Sequence, residues 1–246
     1  LQGVWKGAVG GAVIYSGKEL IKVSSVKNTY AYVWPARLLN SIGSSMIYNG
    51  LNNDKIFSNL YFQFYCTYIR YNFKNNDLTL KIDPITIGYA AYLMIDRNYI
   101  FNLKNTLQLG SFMFENITDT SVVDGKKVLH VGTTGLTLGN SFFAKKYRLM
   151  IYNMYKQPDG TYAFTGEKYI KNMSLETNLH EIVHTLQYEQ CIPMNYFLNK
   201  GIFLWNPAFY TLYFSGNIRG YDNNPFEKTA NFYSKSYYDN LRYISR

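Results

Sequence analysis

Only three histidines, two cysteines and six prolines occur among the 246 residues, and acids are scarce, 16 Asp and Glu against 25 Lys and Arg. Each shortage excludes something. Cys66 and Cys191 lie far apart and in no CxxC arrangement, which rules out a cysteine-rich zinc module and leaves one disulfide or two buried thiols. Lys, Asn, Asp or Arg interrupts every apolar stretch well before 18 residues, so no transmembrane helix is expected. There is no Pro- or Ser-rich linker, low-complexity tract or internal repeat. The chain opens at Leu1 with no charged-then-apolar leader, and reads as a processed product.

The shortage of acids gives a formal charge of +9. Because the Lys and Arg residues are scattered, with no run of five, the charge reads as a basic surface, and no nucleic-acid partner is expected. Together with the many Tyr and Trp residues and a glycine-rich start, it leaves contact with an anionic membrane surface or lipopolysaccharide as an expectation. The frequent Asn, Lys, Tyr and Ile suggest an AT-rich, bacterial genome.

Core material is plentiful, with 47% hydrophobic and 18% aromatic residues. Trp5 to Ile21 reads as a closely packed helix weakened by Gly7, Gly10 and Gly11. A second helix starts near Pro35, carries Leu38, Leu39, Ile42 and Met46 on one stripe, and stops at Asn49-Gly50, so the two form a hairpin or a lid. From Ile56 to Glu115, runs rich in Tyr, Phe, Ile and Thr predict an antiparallel meander of three or four strands, with turns at Asn75-Asn76-Asp77 and Asp96-Arg97-Asn98. Gln157-Pro-Asp-Gly160 predicts a turn between the strands Arg148–Tyr155 and Thr161–Ile170. The fold class is α+β: N-terminal helices, an antiparallel meander, then C-terminal helices. A boundary within 117–127 divides a 1–120 region from a 121–246 region, unless the whole is one domain.

Chemistry concentrates in His180-Glu181-Ile182-Val183-His184, an HExxH sequence. On a helix, residues four apart lie one above the other, so both imidazoles reach one metal ion. Glu181, about 100° around from His180, stands where a general base takes a proton from attacking water and passes it to a leaving amine. Leu179, Ile182, Val183 and Leu186 form an apolar stripe at helical spacing, Ser174 or Thr177 can cap its start, and Cys191-Ile192-Pro193 ends it. With only three histidines, chance yields such a motif in about one sequence per thousand.

A catalytic zinc needs a third protein ligand. Glu189, five residues past His184 on the same helix, turns away. Glu227 follows Asn223-Asn224-Pro225-Phe226, a helix start with Asn224 as cap and Pro225 in the first turn, and is favoured over His130, Asp222 and Asp239.

At these residues the chain resembles the zincins, the HExxH metallopeptidase superfamily, with a Glu ligand as in the gluzincins. Gln187 and Tyr188-Glu189-Gln190 occupy the places of the metzincin Gly and third His. The chain is also similar to bacterial HExxHxxQ metallopeptidase domains associated with toxins and contractile injection-system cargo, through Gln187 and through Gly135-Leu-Thr-Leu-Gly139-Asn-Ser-Phe-Phe143, which resembles the Thr-x-Gly strand that precedes their active helix, with Leu136–Phe143 as the strand at the cleft edge. The resemblance covers roughly 130–235 and implies zinc on His180, His184 and a carboxylate, with Glu181 as base. It also implies a preceding strand that borders the substrate cleft. A Tyr- and Lys-rich insert separates that strand from the helix.

The expected activity is hydrolysis of peptide bonds in a peptide or protein substrate, at a secreted or cell-envelope location. The alternative is a non-catalytic zincin-like binding or structural module of a toxin or envelope assembly. Gln187 shares the ligand face of its helix, either bonding a ligand or substrate or serving as a structural amide. Zincins also use a Tyr or His against the oxyanion, and 25 tyrosines give no basis for choosing one.

Overall fold

Glycines 3, 10 and 17 recur every seventh residue and so share one face of a helix, which decides how the chain begins to fold. In the computed structural model, α1 (Gln2–Val26) and α2 (Val33–Leu51) form an antiparallel hairpin in which Gly3 meets Gly50, Gly10 meets Gly43 and Gly17 meets Ala36. A Cβ on Gly10 would lie 2.6 Å from the Gly43 carbonyl oxygen, and one on Gly43 2.5 Å from that of Gly10. Only glycine allows backbones to approach this closely.

The structure describes residues 2–116, 120–123, 126–129, 135–145, 147–151, 154–156, 158, 162–164, 168–172, 174–193, 202, 206–218, 220 and 223–234. The expected apolar stripe of α2 is only partly inward: Met46 is buried but Leu38 is 49% exposed. The buried face instead carries Ala36, Arg37, Asn40, Ser41, Gly43, Ser44 and Ser45. Close packing on α1 selects small residues, and Arg37 and Asn40 face a polar partner described below.

β1 (Asn59–Phe64), β2 (Thr67–Asn72) and β3 (Asp77–Ile82) form the antiparallel meander in that order. Asn76, at φ 52°, makes the β2–β3 turn in a conformation that asparagine tolerates. The meander does not continue to Glu115 as predicted. The chain enters α3 (Pro84–Ile95) and, after β4 (Tyr99–Phe101), α4 (Leu103–Leu109), before β5 (Phe112–Asn116). Caps override strand propensity here: Asp83 accepts from the N–H groups of Ile85 and Thr86 with Pro84 opening the helix, and Asn102 accepts from Asn105.

A four-stranded mixed sheet runs β4-β5-β9-β8, with β8 (Gly135–Leu138) outermost and antiparallel to β9 (Ser141–Lys145), itself parallel to β5. Side-chain alternation sends Phe114, Phe143 and Leu138 to one side, against Tyr89, Ala90 and Leu93 of α3. Met113, Phe142 and Ala144 go to the other, against α5 (Ser174–Gln190). The stripe Leu179, Ile182, Val183 and Leu186 is fully buried there with Ile21, Val33 and Ala36. Each such side chain contributes about 1.5–3 kcal/mol.

Three further antiparallel pairs are β6 (Thr120–Val123) with β7 (Lys126–Leu129), β10 (Tyr147–Ile151) with β13 (Lys168–Asn172), and β11 (Met154–Lys156) with β12 (Tyr162–Phe164). The β11–β12 pairing flanks the predicted turn, where only Pro158 is described. Among the described residues two helices of about three turns follow α5, α6 (Pro207–Asn217) and α7 (Pro225–Ser234). The architecture is α+β, with helices at both ends of the chain. Cys66 and Cys191 are both free thiols, and burial pushes that of Cys191 up to about 11. Among the described residues no helix is long and apolar enough to cross a membrane.

Candidate metal centre

α5 packs on α7, whose Ala230 and Tyr233 join its apolar stripe, and His180 and His184 beside that stripe are buried, 8% and 6% exposed, with their Nε2 atoms 3.1 Å apart. Glu227, in the first turn of α7 and 1% exposed, places Oε2 3.3 Å from His180 Nε2 and Oε1 3.3 Å from His184 Nε2. Ligand atoms from the three residues all lie within 4.8 Å of one another, the one such cluster among the described residues. His130, Asp222 and Asp239, the competing ligands, lie outside the described residues.

Glu227 is held in place by its neighbours. Asn224, fully buried, accepts from the Phe226 N–H at 2.9 Å to cap α7, and its amide donates to the Tyr213 carbonyl at 3.2 Å. Tyr213, on α6, returns a hydroxyl bond of 2.6 Å to Glu227 Oε1. Yet Glu227 Oε2, buried from solvent, has no close hydrogen-bond donor, and the nearest nitrogen, His180 Nε2, stands 3.3 Å away. A bare carboxylate oxygen beside two imidazole nitrogens is costly unless a cation joins them. Two nitrogens and one oxygen are a donor set that suits zinc.

Burial opposes ionisation of Glu227, but hydrogen bonding and charge from His180 and His184 outweigh it and hold the carboxyl far below the usual range. Burial pulls His184 down, and Glu227 overcomes it, so the imidazole ends above its ordinary value. These opposed shifts describe one electrostatic unit.

Glu181 points the other way, toward β8. The Thr137 hydroxyl donates to its Oε2 at 2.5 Å, and a Cβ at Gly135 would lie 2.3 Å from its Oε1. The stretch Leu136–Phe143, expected as one strand, is a hairpin that turns at Gly139, φ 63°, and its outer arm β8 carries both contacts to Glu181. Burial raises the Glu181 carboxyl above its ordinary value against the pull of His180, His184 and Thr137.

Gln187 is buried, with Oε1 2.8 Å from His184 Nδ1 and Nε2 donating to the Phe226 carbonyl at 3.1 Å. Glu189 faces away from the cluster and pairs with the fully buried Arg37, which also donates to Ser111 at 2.8 Å and to Asn140 at 3.0 Å. Tyr213 is a contributor that the sequence does not single out. Nothing local sets it apart from the other tyrosines, because its role comes from the crossing of α6 and α7. Comparison with protein-family models, curated proteins and solved structures gives no match to this chain.

Proposed function

We propose that the chain is a zinc-dependent metallopeptidase that hydrolyses peptide bonds in peptide or protein substrates. The observation that carries this reading is Glu181: a buried carboxylate outside the His180, His184 and Glu227 set, held beside it by β8. A purely structural zinc site has no use for such a group. The ligands would be His180, His184 and Glu227, and bound zinc supplies a Lewis acid that polarises a carbonyl and makes water a nucleophile near neutral pH.

The protein's own groups do the rest. Glu181 accepts the proton of the attacking water and delivers it to the departing amine nitrogen, a task suited to a carboxyl whose pKa burial has raised. Thr137 fixes Oε2 by its hydrogen bond, which orients the carboxylate. The side chain missing at Gly135 leaves room for Oε1. Among the described strands β8 is the outermost of its sheet, the position at which an extended peptide would pair.

Metal content per chain, measured by mass spectrometry beside His184→Ala and Glu227→Ala, tests the ligand set. About one zinc in wild type, lost from both variants, is the expected outcome. Glu181→Gln should keep the zinc and lose about 10²–10⁴ in turnover on a peptide library. Equal turnover in Glu181→Gln and wild type would sink the mechanism, and zinc without turnover in wild type would favour a binding module.

A further inference from the structure

Gln187 bridges α5 and α7, and the identity of its two neighbours decides that the inner nitrogen of His184 bears a hydrogen. The Phe226 carbonyl oxygen, 3.1 Å away, can only accept, so the amide nitrogen of Gln187 must face it. That turns the amide oxygen to His184 Nδ1 at 2.8 Å, and since an amide oxygen only accepts, Nδ1 must carry the hydrogen. His184 Nε2, 3.1 Å from His180 Nε2 and 3.3 Å from Glu227 Oε1, is then the ring nitrogen whose lone pair serves a metal whenever the ring is neutral.

We infer that Gln187 is a positioning residue: it sets the His184 tautomer for metal ligation and ties that histidine to the backbone of Phe226, next to the third ligand. One side chain therefore couples ligands that come from two helices. Its burial removes water as a competing partner for either bond. Outer hydrogen bonds of this kind typically carry about 10–100-fold in metal affinity. A merely structural amide would require no particular hydrogen on His184. The consequence for affinity rests on the metallopeptidase reading, whereas the tautomer does not.

The test has two readouts on the full chain. Long-range nitrogen–proton NMR of metal-free wild type, at a pH where the ring is neutral, should show His184 with its hydrogen on Nδ1; a hydrogen on Nε2 overturns the proposal. Zinc affinity by chelator competition should fall about 10–100-fold in Gln187→Met, which keeps the length and loses both bonds. Gln187→Glu keeps an acceptor for Nδ1 and loses the donor to Phe226, so it should retain the tautomer and bind zinc within about tenfold of wild type. Folded Gln187→Met with wild-type affinity and an unmoved His184 signal overturns the proposal. If wild type binds no zinc, the metal reading fails while the tautomer still decides the role of Gln187. If Gln187→Met does not fold, wild type and Gln187→Glu carry the decision.

Discussion

Asp83 and Glu227 are both buried carboxylates that meet side chains of α5, and they differ in how completely their oxygens are served. Asp83 Oδ1 accepts from the Ile85 and Thr86 N–H groups at 3.0 and 3.1 Å. Its Oδ2 has the hydroxyls of Tyr68 and Tyr188 at 2.8 and 3.1 Å and the Gln63 amide at 3.3 Å. Glu227 has one hydroxyl on Oε1, and beyond it the His184 and His180 imidazoles at a looser 3.3 Å, one to each oxygen. A saturated carboxylate organises the parts around it: Asp83 joins α3, the meander and α5. An unsaturated one, facing two imidazoles at the same depth, leaves room for a guest with positive charge, which is what the proposed zinc would be.

The comparison breaks most readily at Asp83. Asp83→Ala removes a helix cap and the carboxylate that accepts from the buried Tyr68 and Tyr188 hydroxyls, leaving that pair only each other, so denaturant unfolding should show a loss of about 3–5 kcal/mol. A loss under about 1 kcal/mol would mean that saturation does not mark a structural centre.

Zinc should act only at the other carboxylate. At about a hundred times its dissociation constant, zinc should add about 2.7 kcal/mol to wild type, reversed by a chelator, and nothing to Glu227→Ala. Equal gains in both chains would remove Glu227 from the ligand set.

The pH dependence sharpens the contrast. In the metal-free chain the folded pKa of His184 lies above 6.5, so its stabilisation is complete below 6.5 and is lost as the pH rises through the folded value. That of Glu227 lies below 4.5, so its contribution is present above 4.5 and lost as the pH falls. Metal-free stability from this cluster should therefore be highest between pH 4.5 and 6.5 and fall on both sides in thermal or denaturant scans. Zinc-loaded protein should instead gain stability above pH 6.5, because the metal needs deprotonated imidazoles. Parallel slopes with and without zinc would contradict this.

The smallest effect concerns the base alone. Gly135→Ala forces the Glu181 carboxylate aside, and should cost about tenfold in turnover with zinc affinity unchanged. A parallel loss of zinc would mean that Glu181 and the ligand set are not separable.

Much of the centre is legible in the amino-acid sequence, for a local reason. HExxH spacing, the stripe from Leu179 to Leu186 and the Asn224-Pro225 helix start each depend on residues within two turns of one another. Position along a helix converts such spacing directly into direction in space. The region from Pro84 to Leu109 reads wrongly as strand because its aromatic and β-branched residues carry a weak preference. The Asp83 and Asn102 caps, together with packing against Phe114 and Phe143, override it. The inward face of α2 misreads for a related reason: its best-buried side chain, Arg37, is there for Glu189 on another helix.

The sequence by itself determined the α+β class, the helix that carries His180, Glu181 and His184, and the helix start that precedes Glu227, since periodicity and capping act within a few residues. Only the tertiary structure decided that α7 crosses α5 where Glu227 meets both imidazoles. It alone selected Tyr213 from among the tyrosines, and set Gly135 and Thr137 against Glu181. Those meetings join residues far apart in the chain, and close packing of helices and sheet, which no local pattern encodes, is what brings them together.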